Sequence, residues 1–211
     1  MLYASTQTLS MLDLMQDPLF AKLDPGEYAH CIAKGISAGT AATAAHRSCD
    51  PEEAFTSAGF EIRRLEDPLR PEQRSRIQAQ IFYETDKPHV DLHMAELSHK
   101  QAILEADGLT VSLEWMVQLH LAHEYYHFLE FSQGHFAGDG LVPARLHGLV
   151  RPRRLRAASE IAAHSFSDVL TDSPLRPELM DYLVLIADGI MTQEEFSDLL
   201  ARAQTMLSEG K

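Results

Sequence analysis

The sequence predicts an α+β fold, mainly helical, in which a small antiparallel three-stranded sheet precedes one long buried helix. Three observations carry this. The run from Ser112 to Phe131 contains no Pro or Gly and is apolar on most sides, so it reads as an internal helix. Ile77, Ala79, Ile81 and Tyr83 alternate with Gln78, Gln80, Phe82 and Glu84, the period of a strand. Capping signals recur along the rest of the chain and divide it into helices.

The elements follow in order. Asp24-Pro25-Gly26-Glu27 is a helix start, with Asp24 as N-cap, Pro25 at the first position and Glu27 as capping partner. That helix reaches about Arg47 through an Ala-rich stretch interrupted by Gly35 and Gly39. Asp50-Pro51-Glu52-Glu53 repeats the signal for a short helix ending at Gly59. Phe60 to Leu65 reads as a strand. The alternating stretch comes next, Thr85-Asp86-Lys87-Pro88 turns the chain, and His89 to His93 returns with Val90 and Leu92 on one face. His89 and His93 themselves are expected at the surface. Ser98-His99-Lys100-Gln101 offers a capping box for a helix ending near Gly108.

Thr110 and Ser112 start the long helix. Arg156 to Phe166 reads as a second one, whose small residues Ala157, Ala158, Ala162 and Ala163 would let it pack closely on the first. Two more helical patterns run from Pro177 to about Ala187 and from Gln193 to about Leu207, the latter opened by a Thr192/Glu195 capping box. Asp188-Gly189-Ile190 has the look of a calcium loop, but Val184 and Ile186 stand where its first carboxylates belong, so calcium is rejected. The organisation expected is a helical segment over residues 1–48, a main domain over 49–175, and a helical extension over 176–211 on the same core.

Composition narrows the function classes. At 211 residues the chain can build one substantial core, and its 45% apolar and 23% charged residues are ordinary for a globular protein. A net charge of −13 argues against non-specific nucleic-acid binding, which demands a basic surface. No apolar run reaches the length of a membrane span. The first twenty residues contain no Lys or Arg and so lack the charged start of a signal peptide. Two cysteines, Cys31 and Cys49, make no disulfide framework and no metal pair, which suits a reduced cytoplasm. One basic cluster stands apart: Arg145, Arg151, Arg153, Arg154 and Arg156 could steer an acidic segment, or pair with surface carboxylates.

The chemistry sits in His123-Glu124-Tyr125-Tyr126-His127. Two histidines one helical turn apart share a face, so both imidazoles can reach one cation, while Glu124 points at a water beside it. A polar line of His120, His123, His127 and Glu130 runs between apolar stripes, and a shared cation would satisfy several of these groups at once. The plain alternative is a metal-free core in which the histidines bond backbone carbonyls. Catalytic zinc takes three protein ligands. Position 133, where one further histidine would complete a related motif, is Gln. Glu160, on the second helix, is the third ligand expected, which makes His123, His127 and Glu160 the metal set and Glu124 the general base. Tyr125, Tyr126, His147 and His164 are candidates for a group that steadies the transition state. Manganese or iron also suits two histidines and a carboxylate, but a buried HExxH helix favours Zn2+.

Together with Glu160-Ile161-Ala162-Ala163-His164-Ser165-Phe166, the HExxH stretch resembles the ImmA/IrrE-type metallopeptidases, which are anti-repressors and stress-response regulators. The likeness covers roughly residues 50 to 172 and extends to the order of a short helix, a strand, a hairpin and the metal helix. It implies a zincin-like domain, zinc held by His123, His127 and Glu160, and Glu124 as base. It also implies a protein substrate of the helix-turn-helix repressor class, while the net charge and the lack of a long apolar run argue for neither nucleic acid nor membrane as direct partner. The chain departs from that pattern at His164, where Asn or Asp is usual, at the bulky Tyr126, and in the ending Val169 to Pro174. Beside a cytoplasmic metallo-endopeptidase stands one other functional reading, a zinc-containing regulator that grips its partner without cutting it.

Overall fold

Eight helices, a three-stranded sheet and a two-stranded hairpin make up the described residues of the computed structural model, 4–68, 77–146 and 149–209. The first half runs α1 (Thr6–Gln16), α2 (Tyr28–His46), α3 (Pro51–Ser57), β1 (Glu61–Leu65), β2 (Ala79–Phe82) and β3 (His89–His93). The second half runs α4 (Met94–Ala106), α5 (Leu113–Gln133), hairpin strands β4 (Val142–Leu146) and β5 (Leu149–Arg153), α6 (Arg156–Leu170), α7 (Pro177–Ala187) and α8 (Gln193–Glu209).

Local chemistry sets most boundaries. The Asp50 side chain accepts from the amides of Glu52 and Glu53, and Ser112 accepts from Trp115 at 3.0 Å, each filling an orphan donor of a first turn. Gly134, at φ 65°, closes α5 in the left-handed conformation that glycine adopts without strain. Thr192 and Glu195 cap one another. Asp24 opens a 3₁₀ turn that leads into α2 at Tyr28. Helix α4 starts earlier than its Ser98 capping box predicts: Met94 follows β3 directly, and burial of Glu96 and Leu97 recruits the extra turn.

The sheet is mixed, which corrects the antiparallel expectation. Its order is β1-β3-β2, with β2 antiparallel to β3 but β1 parallel to it. Val90 and Leu92 are fully buried, so β3 takes the central place and carries partners on both sides. Strands β2 and β1 flank β3 on opposite sides, the first antiparallel and the second parallel to it.

Helix α6 is the hub. Ala158, Ile161, Ala162 and Phe166 are fully buried, and α6 packs against α1, α2, α5 and α7. Its small residues serve α2 as well as α5. A Cβ at Gly39 would lie 2.2 Å from the Ala162 carbonyl oxygen, and one at Gly35 would lie 2.8 Å from that of Ala158. The two glycines therefore mark backbone contact between helices rather than interruptions of α2. Phe166 packs at a tilt against Tyr126 and Tyr125, at ring-centroid distances of 5.7 and 6.3 Å, and burial of such a ring stabilises by roughly 1.5–3 kcal/mol. The buried core runs from Leu9 to Ala203, so the first and last helices share it with the middle of the chain.

Candidate metal centre

Helix α5 presents His123 and His127 one turn apart, and α6 crosses to bring in Glu160. The two Nε2 atoms lie 3.2 Å from each other, and Oε2 of Glu160 lies 3.3 Å from His123 Nε2 and 3.5 Å from His127 Nε2. A tetrahedral zinc with bonds of about 2.0–2.1 Å requires ligand atoms about 3.3 Å apart. The three atoms already have that spacing, so the donor set can hold a divalent cation.

The electrostatics agree. Burial, with the positive charge of neighbouring histidines, pushes His123 down to about 4 despite its bond to Glu160. Burial would lower His127 as well, but the charge of Glu160 and hydrogen bonds to Glu130 and Glu160 outweigh it and raise the group well above its ordinary value. Glu160 is half exposed, with a side-chain exposure of 49%, and the same histidines hold it well below the carboxylate range although burial opposes them.

Glu124 lies beside this triangle, 9% exposed. Burial, helped by the charge of Glu160, pushes its carboxyl up to about 7, against the opposing pull of His127 and of the Ile81 amide. A carboxylate near neutrality is suited to taking and returning a proton at physiological pH.

Glu130 has a supporting role that the sequence showed only as the last member of a polar line. Its Oε1 accepts from the Ala137 amide at 2.6 Å and from the Ser159 hydroxyl at 3.0 Å, while Oε2 sits 3.8 Å from His127 Nδ1. A carboxylate in that position could orient the His127 ring if the imidazole held a cation.

His164 packs its ring 4.8 Å from that of His123 and lines the same cavity, of about 1170 Å3, as Glu124 and Glu160. Its Nδ1 lies 3.3 Å from Asp13 on α1 and 3.9 Å from Glu178 on α7. Burial opposes the charge, yet Glu178 and Asp13 raise His164 to about 9. Asp13, His164 and Glu178 also lie within reach of one cation, but Arg176 already bonds Glu178 at 2.6 Å and His164 Nδ1 sits 3.3 Å from Asp13 Oδ2. Neither Asp13 nor Glu178 carries a sequence signal for this role.

The other candidates fare differently. Tyr126 turns to Phe166 and Glu130, and Tyr125 to Phe55, His46 and Cys49, away from the cavity. His147 lies outside the described residues. Tyr83, read from the sequence only as a strand residue, lies in the field of Glu124, Glu130 and Glu160 and is raised, chiefly by burial. His89 and His93 are half-buried rather than superficial, with His89 stacked on Phe82 at 4.6 Å. In the basic cluster Arg153, Arg154 and Arg156 are all exposed, and Arg154 pairs with Asp139 at 3.0 Å and lies over the Phe136 ring, while the side chains of Arg145 and Arg151 lie outside the described residues. Among the described residues no helix is long and apolar enough to cross a membrane.

In comparisons with known proteins, no family model, no curated protein and no solved structure matches the chain.

Proposed function

We propose that the protein is a cytoplasmic zinc-dependent endopeptidase of the ImmA/IrrE type, acting on a protein substrate of the helix-turn-helix repressor class. One observation carries the reading: three ligand atoms at the mutual spacing zinc requires, with a buried carboxylate next to them whose proton affinity is tuned to neutrality.

When bound, zinc supplies Lewis acidity, which makes a water molecule more acidic and polarises a carbonyl. The chain's residues supply the rest. His123, His127 and Glu160 hold the ion, and Glu130 keeps the His127 ring in place. Glu124 takes the proton of the attacking water and passes it to the leaving amine. His164, fixed at Nδ1 by Asp13, offers its other nitrogen to the cavity, where it can donate to a developing oxyanion. The outward edge of β2 runs beside the site, and an extended peptide can add to it as a strand.

The test is an unbiased peptide library incubated with zinc-loaded protein and read by mass spectrometry. New termini should appear with the natural chain and vanish with Glu124→Gln, which keeps its zinc. Identical termini from both proteins, or none from either, would sink the peptidase reading.

A further inference from the structure

Strand β2 is an edge among the described strands, and its pairing decides which backbone groups face outward. The His93 amide donates to the Gln78 carbonyl at 2.9 Å, so Gln78, Gln80 and Phe82 turn their backbone groups towards β3. Ala79 and Ile81 turn theirs away from the sheet. The outward Ile81 amide donates to Oε2 of Glu124 at 3.1 Å. Glu124 is almost out of contact with water, so this charge-assisted bond ties the carboxylate to the sheet and limits its rotation.

We propose that the Ile81 amide is the positioning group for the general base, and that it divides the edge of β2 into two parts. The Ile81 N–H holds the protein's own carboxylate, leaving Oε1 for the reacting water. Among the described residues the Ala79 amide and carbonyl and the Ile81 carbonyl have no partner, which leaves them to pair with an extended substrate. A substrate strand is thereby set in a register that places its reacting bond beside Ile81. The second half of this proposal rests on the peptidase reading, whereas the first concerns the chain alone.

Ile81→Pro removes the one donor without removing a bond of the sheet, because that amide does not face β3. Ile81→Ala keeps the donor and loses the side chain. Ala79→Pro removes the neighbouring outward amide. Acetohydroxamate is a suitable probe because it meets both the metal and the base, and visible absorption of the cobalt-substituted protein follows its binding. Ile81→Pro should weaken acetohydroxamate about 10- to 100-fold, the effect of losing a hydrogen bond to a charged group. Ile81→Ala and Ala79→Pro should stay within about twofold. Equal weakening in Ile81→Pro and Ile81→Ala overturns the proposal.

A second measurement does not depend on how the proline variant folds. In the metal-free natural chain the Ile81 amide should be protected from hydrogen exchange, and Glu124→Ala should speed its exchange at least about tenfold while leaving Gln80 unchanged. An unprotected Ile81 amide in the natural chain overturns the proposal. On any peptide cut in the library, Ile81→Pro should lower kcat and Ala79→Pro should raise KM, and the reverse split counts against the division of the edge. Probe binding and exchange need no turnover, so a library without cuts sinks the peptidase reading and leaves both readouts to judge the Ile81 amide.

Discussion

The Nε2 atoms of His123 and His127 face each other at 3.2 Å with Glu160 closing the triangle, yet burial holds His123 down at about 4 while the neighbouring carboxylates raise His127 well above its ordinary value. Metal ligation requires both rings neutral at Nε2. His127, raised well above its ordinary value, must give up its proton, whereas His123, near 4, has none to give. Zinc binding at pH 7 should therefore release about one proton from His127, plus a fraction from Glu124. Calorimetry in buffers of different ionisation enthalpy measures this, and zero release would contradict the assignment. Glu160→Ala should abolish stoichiometric zinc binding.

If zinc is bound as proposed, Glu130 would act through His127, whose Nδ1 lies 3.8 Å from Oε2, rather than on the metal. Glu130→Gln should weaken zinc by about 10- to 100-fold, as loss of a carboxylate behind a ligating histidine does. A competition titration with a chromophoric chelator reads the change, and unaltered affinity would reduce Glu130 to a cap for Ala137 and Ser159.

The His164 pair with Asp13 gives a pH dependence with a definite sign. The folded value of His164, about 9, lies above the unfolded value near 6.5, so its stabilisation is complete below about pH 6.5 and is lost as pH rises through 9. Metal-free protein should lose on the order of a few kcal/mol between pH 7 and 10 in urea denaturation. His127 contributes with the same sign, so His164→Gln should make this decline shallower without flattening it. An unchanged slope would deny the ion pair its role.

Gly39 controls the seat of α6. A methyl group there would press to 2.2 Å from the Ala162 oxygen, which is backbone and has nowhere to swing. Gly39→Ala should destabilise by about 1–3 kcal/mol, seen as a lower urea midpoint. Because α6 carries Glu160, zinc affinity should fall with it. Full stability and full affinity would show that the helices can part at no expense.

The sequence by itself determined the long helix α5, its cap at Ser112, and the placing of His123 and His127 on one face with Glu124 between them. These depend on a period of 3.6 residues and on hydrogen bonds within one turn, which neighbours in sequence settle between themselves. It also marked Glu160, since a carboxylate on a small-residue helix is visible without coordinates. Tertiary structure alone decided the parallel place of β1, the early start of α4 and the closeness of Gly39 to Ala162. It alone joined His164 to Asp13 across 151 positions, and Glu124 to the Ile81 amide across 43. Such contacts leave no periodic trace, because each is set by how buried faces fit together. A carboxylate on a distant helix reads as any surface acid until packing removes its water.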